Sequence, residues 1–431
     1  MIGIVAALLL QGAAPAARAA RDTTDSIPSV TLAEALQRAV GVSPDYVLAA
    51  GQLDQAEWGR RAAMLSFFVP SLTVSLDATK YSEPFFNIGI GQATNQAVNF
   101  RANASYEVFS VRKLTDLTLT ASELESARQN EFQSRFLLAF DTERDFLDVL
   151  AARELLRVAR GRYARAVDQL EVARARVLSG AAVQTDSLQL VVELTEAELD
   201  VLRQDALLNV SRLQLGRRIG EARPVDAHAI DTTLPPPLTA TNAMLAQEAV
   251  EIGPQYRVAR AEERSANAFL KGQRGRYLPS VFLSGGYTRF DDSFFPNGRA
   301  VSSVTLTVSV PIWDLGNREI AITQARVNRD VASAVRADLE RAALRDVTAA
   351  AEIYRIARVA VDLSHRRLAA AQETFRVQEL RYRGGANTIL DVLESQFQLT
   401  SAEAAVVQAQ YALHLARAGL EVILGRRLFT E

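Results

Sequence analysis

The chain has 431 residues, enough for two or three ordinary domains, and carries 48 basic against 50 acidic side chains for a net charge of −2. That balance offers no bulk attraction to nucleic acid. The absence of cysteine removes disulfide frameworks, thiolate metal sites, thiol nucleophiles and a cysteine-linked N-terminal lipid.

The N-terminus reads as a secretory leader over 1–19. Ile2 to Leu10 is a short apolar run, and Ala17-Arg18-Ala19 places small residues at the −3 and −1 positions of a cleavage site, although no basic residue precedes the run. No later stretch approaches the ~20 apolar residues of a membrane-spanning helix. An exported chain of this kind is periplasmic, secreted or part of an outer-membrane barrel.

From 20 onward the chain repeats itself about 209 residues apart. The first unit, 20–220, opens on a short helical stretch containing Gly-Val-Ser-Pro-Asp-Tyr at 41–46. Two strands follow. In 71–78, Leu72, Val74, Leu76 and Ala78 oppose Ser71, Thr73, Ser75 and Asp77; in 98–108, Val98, Phe100, Ala102, Ala104, Tyr106 and Val108 oppose Asn99, Arg101, Asn103, Ser105 and Glu107. Proline is then absent from Pro84 to Pro224, and the stretch is rich in Ala, Leu, Glu, Gln and Arg. The only strong break is Gly180, so one helix is expected over roughly 112–178, on the order of 100 Å long, and a second beyond the turn. Leu194, Val201, Leu208 and Leu215 give that second helix a heptad seam.

Residues 221–245, with Pro224 and Pro235-Pro236-Pro237, cannot be helical throughout and read as a strap across the helical body. The second unit, 246–431, then restates the first. Glu-Ile-Gly-Pro-Gln-Tyr at 251–256 answers 41–46, Pro279-Ser280 answers Pro70-Ser71, and Phe294-Phe295 answers Phe85-Phe86. Val281, Leu283, Gly285 and Tyr287 alternate with Phe282, Ser284, Gly286 and Thr288; Val304, Leu306, Val308 and Val310 alternate with Ser303, Thr305, Thr307 and Ser309. A helix over roughly 317–382 ends at Gly384-Gly385. Arg381 to Gly385 and Asp391 answer Arg176 to Gly180 and Asp186, and Leu424-Gly425-Arg426-Arg427 answers Leu215 to Arg218. Val392, Leu399, Val406, Leu413 and Leu420 fall every seven residues, with Ala402, Ala409, Ala416 and Ile423 as a second seam of mostly small residues.

Strands of this length and alternation suit a transmembrane barrel with lipid outside and water inside. Tyr81, Phe109, Tyr277, Phe290 and Trp313 are its candidate interfacial aromatics. A soluble sheet with one face on a core would show the same alternation but needs a covering layer. Four strands cannot close, and open edges are excluded from a bilayer. Two chains would supply about eight strands, leaving an interior filled by side chains, whereas three would supply about twelve and leave a passage. Each strand pair leads directly into a long helix, so barrel and helical cylinder would share an axis. A non-channel periplasmic or surface coiled-coil structural protein is the alternative. An enzyme is not expected. His228, His365 and His414 lie far apart without metal-ligand spacing, Gly89-Ile90-Gly91 is a lone loop fragment, and no nucleophile motif appears, so no cofactor or metal is implied.

Arg381-Tyr382-Arg383-Gly384-Gly385, followed by Leu390 to Gln396, resembles the tip turn and helix start of the TolC-like outer-membrane efflux protein family, and Pro311 to Arg318 resembles its strand-to-helix junction. With the duplication, the resemblance covers about 30–430. It implies a mainly helical fold with a small β part, in which a homotrimer forms an outer-membrane barrel in lipid, continued by a periplasmic helical tunnel. It implies a passive exit duct for efflux or type I secretion, joined through a periplasmic adaptor (a membrane fusion protein) to an inner-membrane transporter of RND, ABC or MFS type that selects the cargo. It implies adaptor contact at the tips, Gly180, Ala181 and Ala182 with Gly385, Ala386 and Asn387. Asp391 and Glu394 match acidic rings of the pore constriction, where three copies of each would raise some pKa values by mutual repulsion. Asp186 and Tyr382 match a gate-holding hydrogen-bond pair, and Thr185 and Asn387 fall at a second gate contact. The family has arginine at the position of Asn387, so the second contact departs from the pattern.

Overall fold

The computed structural model describes residues 27–87, 90–231, 233–292 and 300–428. The predicted leader at 1–19, Gly89 and Phe294-Phe295 lie outside the described residues.

After the two-residue β1 (Ser29–Val30) come α1 (Leu32–Val40) and α2 (Pro44–Leu65), then the hairpin β2 (Ser71–Asn87) and β3 (Gln92–Phe109). The long α3 (Val111–Leu178) follows at once, and α4 (Gln184–Arg218) returns from its far end. A short β4 (Asp226–Ala227) precedes α5 (Asn242–Ile252), α6 (Pro254–Arg274), β5 (Ser280–Asp291), β6 (Ala300–Ser309), α7 (Asn317–Arg383) and α8 (Ile389–Leu424). The predicted long helices thus start and stop within a residue of their expected positions. Their ends have local causes: Ser110 accepts from the Lys113 amide at 3.0 Å to start α3, and a left-handed glycine, Gly180 or Gly385, follows the last helical residue of α3 and of α7 by two places. At 68 and 67 residues, each runs on the order of 100 Å.

The strand order is β2-β3-β5-β6, antiparallel throughout. Register places the predicted apolar sets on one face: Leu72 opposite Ala104, Ala104 opposite Gly285, and Gly285 opposite Val304. The polar sets share the other face, where Arg101 reaches Asp77 at 3.4 Å. Among the described residues no layer covers the sheet; all ten residues of β6 are exposed, and Leu72, Val74, Leu306 and Val308 stand open on the apolar face. A soluble sheet would need such a layer on its apolar face.

Two sequence expectations are corrected, the strand limits and Phe290. β2 and β3 run well past 78 and start before 98, because a register shift between Lys80 and Phe85 absorbs Pro84 and lets pairing resume. Phe290 lies opposite Asn99, on the polar face, so it is not a lipid-side aromatic. Phe109 is the converse: a shift after Glu107 sets it opposite Val281 on the apolar face. With Tyr277 and Trp313, Phe109 marks the helix end of the sheet, while Tyr81 stands toward the far end against Phe85, ring centroids 4.5 Å apart.

Beneath the sheet the helices form a four-wide wall in two tiers. Near the sheet the neighbours run α2, α3, α6, α7; beyond the middle they run α4, α3, α8, α7. All five main-seam residues predicted for α8, Val392 to Leu420, are buried. The proline-rich segment crosses this wall: β4 pairs with β1, Arg153 donates to the Ala227 carbonyl at 2.9 Å, and Tyr354 and Arg358 donate to the Pro236 and Pro235 carbonyls. The two helical hairpins meet along α3 and α8, where Arg165 of the first holds Glu403 of the second at 2.9 Å. Gln396 of α8 also donates to Glu193 of α4, a carboxylate that Arg162 of the same first hairpin grips at 2.8 and 3.0 Å.

Candidate functional site

Two features of the wall invite a function: its edges and its far tip. Among the described residues no strand pairs with the outer edge of β2 or of β6. The wall is likewise open at α7 on one side and at α2 and α4 on the other. Those edge helices carry exposed apolar stripes at helical spacing. On α4 the stripe is Leu188, Val192, Leu199, Leu202, Val210 and Leu213; on α7 it is Ile320, Val327, Val331, Ile353, Ile356 and Leu363. Val47, Trp58 and Leu65 give α2 the same character. Contiguous apolar surface of this extent marks an association site. The heptad pattern shows that α4 and α8 need a partner seam; this second, outward stripe on the edge helices was not singled out from sequence, although its spacing is there to be counted.

The tip holds the predicted gate residues. Gly180 and Gly385 adopt the left-handed region, φ +74 and +76, and each closes its helix the same way. The Ala181 amide donates to the Arg176 carbonyl and the Ala386 amide to the Arg381 carbonyl, both at 2.8 Å. Gly180, Ala181, Gly385 and Ala386 are exposed at the end of the molecule, with Ala182 and Asn387 half-buried beside them. Thr185 is exposed too. Asn387 turns inward instead, donating to the Gln378 side chain at 2.8 Å and its carbonyl at 3.1 Å, which fastens the turn to α7.

Tyr382 is 4% exposed, in a cluster with Leu170, Ala173, Leu190, Ile389 and Val392 that draws on both hairpins. Its hydroxyl reaches Asp186 at 3.4 Å, a long hydrogen bond. Burial, and then the charge of Asp186, pushes the phenol above its ordinary pKa, so it stays protonated and able to donate. Sequence reasoning paired these two residues; it assigned nothing to Arg176, whose guanidinium lies 4.5 Å from the centre of the Tyr382 ring.

Asp391 and Glu394 are both exposed on α8 and line one hollow with Thr374, Gln378, Leu390 and Gln398. Asp391 also caps its own helix, accepting from the Thr388 amide at 3.0 Å and hydroxyl at 2.7 Å. Those bonds, the hydroxyl's first, hold the Asp391 carboxyl below the usual carboxylate range in the single chain. Glu394 accepts from Gln398 at 2.8 Å.

Among the described residues no helix is long and apolar enough to cross a membrane. Residues 245–426 match the sequence model described as outer membrane efflux protein. The chain is 27% identical to the cobalt-zinc-cadmium resistance protein CzcC of Cupriavidus metallidurans over 403 residues, 92% of this chain and 90% of that one. It is 28% identical to the pyoverdine export outer membrane protein OpmQ of Pseudomonas aeruginosa over 417 residues, 90% and 84% of the two chains. The crystal structure of CusC, described as a transmembrane channel, has the same fold, with a TM-score of 0.75 at 15% identity over 93% of each chain.

Proposed function

For a chain that belongs to the outer membrane efflux protein family, we infer that three copies close into one passive duct through the outer membrane and down into the periplasm. The observation that carries this reading is the coincidence of open edges in both layers. β2 and β6 run in opposite directions, so β6 of one copy can pair antiparallel with β2 of the next. The same rotation brings the α7 stripe of one copy toward the α2 and α4 stripes of its neighbour. Closure leaves no strand edge in lipid. The in-register apolar face then meets acyl chains, and the serine- and threonine-rich face lines water.

The tips at Gly180 to Ala182 and Gly385 to Asn387 are the docking points for a periplasmic adaptor, since small side chains let another helical hairpin approach the backbone. The adaptor couples the duct to an inner-membrane transporter of RND, ABC or MFS type, which selects the cargo. Relatives named for metal-ion resistance and for pyoverdine export fit a duct that carries what its transporter delivers. Asp391 and Glu394, brought together threefold, form an acidic constriction that favours cations. The duct performs no chemistry on its cargo.

Recording from the purified protein in planar bilayers tests this. Discrete, cation-preferring channel events are expected. A preparation that enters lipid and never conducts, at any voltage, contradicts the duct.

A further inference from the structure

Arg176 projects from the last turn of α3 into the junction between the two hairpins, and its guanidinium makes three contacts there. It donates to the Tyr382 carbonyl, donates to the Ala181 carbonyl at 3.1 Å, and stacks 4.5 Å from the Tyr382 ring centre. The side chain of Gly385 would, if present, stand 3.6 Å from the same guanidinium. One cation of the first hairpin therefore holds the backbone end of α7, the ring at that end, and its own turn.

Electrostatics gives this position its weight. α3 and α7 both end at the tip, and Arg176 reaches from the end of one to the end of the other, so two helix C-termini, each with the negative end of its dipole, lie within reach of one guanidinium. Charge-charge repulsion between them favours separation. A guanidinium there offsets the negative ends of both, and its planar fork donates to the Tyr382 carbonyl in the last turn of α7 and to the Ala181 carbonyl in the turn after α3. By comparison the Tyr382 hydroxyl reaches Asp186 only over a long bond of 3.4 Å. Ring stacking by arginine does not depend on that hydroxyl at all.

We propose that Arg176 is the positioning residue that pins the second hairpin against the first and so keeps the periplasmic mouth narrow. The inference rests on the duct reading above and deepens it. Moving α7 and α8 outward must break both Arg176 contacts to Tyr382, the one to its carbonyl and the one to its ring, whereas loss of the Tyr382 hydroxyl leaves them intact.

The test is resting single-channel conductance, with trimer integrity followed on gels, for the parent protein and for Arg176→Ala, Arg176→Lys, Tyr382→Phe and Tyr382→Ala. Arg176→Ala and Tyr382→Ala should each raise resting conductance several-fold in intact trimers. Arg176→Lys should fall between, keeping the charge and losing fork and stack. Tyr382→Phe should stay nearest the parent. If Arg176→Ala does not assemble, the lysine variant carries the test, and a conductance equal to the parent's overturns the pin. Arg176→Ala as closed as the parent overturns it too, as does Tyr382→Phe opening as far as Arg176→Ala. Silence from the parent and every variant refutes the duct itself, and the pin with it.

Discussion

The two turns at the tip share a sequence pattern and a backbone and differ in what their side chains do. Arg176 and Arg381 occupy matching places four residues before Gly180 and Gly385, and the glycines agree in φ to 2°. Yet Arg176 is wedged between hairpins, while Arg381 is exposed. The matching aspartates part company as well. Asp391 accepts from Thr388 and caps α8. Its counterpart Asp186 has Val183 in the capping position, which offers no side-chain bond, and Asp186 faces Tyr382 instead. Duplication thus fixed the turn, and a single residue three places before each aspartate decides whether the carboxylate serves its own helix or the other hairpin.

The comparison can be broken most severely at the glycines. Gly180→Trp with Gly385→Trp should abolish export while trimers persist, because each costs about 1–2 kcal/mol of left-handed strain and also blocks the docking face. Asparagine at both positions tolerates that backbone and should retain assembly and much of the export. Unchanged export from the tryptophan pair, measured by cargo accumulation in cells, removes these turns from the adaptor contact.

A smaller effect is expected at the proposed constriction. Asp391→Asn with Glu394→Gln should lower cation preference and relieve block by multivalent cations without disturbing assembly. Asparagine leaves an oxygen for Thr388, so the cap survives in part. Because hydrogen bonds depress the Asp391 pKa, its cap contributes fully above the unfolded value of about 3.9 and is lost as pH falls below that through the folded value. Melting curves of the parent should therefore weaken only below about pH 4 from this source. A double variant with undiminished cation selectivity places the constriction elsewhere.

Arg381→Ala is the matched control for Arg176→Ala and should leave resting conductance near the parent's, since its side chain lies outside the junction. The gentlest change is Val183→Thr. It should give α4 the cap that α8 already has, stabilising the helix by about 1 kcal/mol, and draw Asp186 from Tyr382. Thr388→Ala should cost a comparable amount at the other turn. Equal melting temperatures for all three proteins would show that the two helix starts do not differ in the way described.

Much of this was legible beforehand where the cause is local. Long proline-free stretches closed by Gly180 and Gly384-Gly385 announce α3 and α7 almost to the residue. Alternation finds the lipid face, because period two survives in Leu72 to Ala78 and Val304 to Val308. Strand ends were lost where Lys80 to Pro84 break the alternation and a shifted register restores it later. The Thr388–Asp391 box has a readable spacing and was passed over in favour of the constriction. The identity of Arg176 as a bridge was not readable, since both turns place an arginine four residues before the left-handed glycine and that spacing does not say which one the other hairpin covers.

Everything at the tip presupposes that the edges of one chain are covered by copies of itself. Native mass spectrometry of the protein extracted from membranes in mild detergent tests this most directly. A single species at three times the chain mass is predicted, and it should dissociate when Leu202→Asp and Ile356→Asp place charge in the α4 and α7 stripes. A monodisperse monomer from native membranes, with those stripes left bare, would contradict the account.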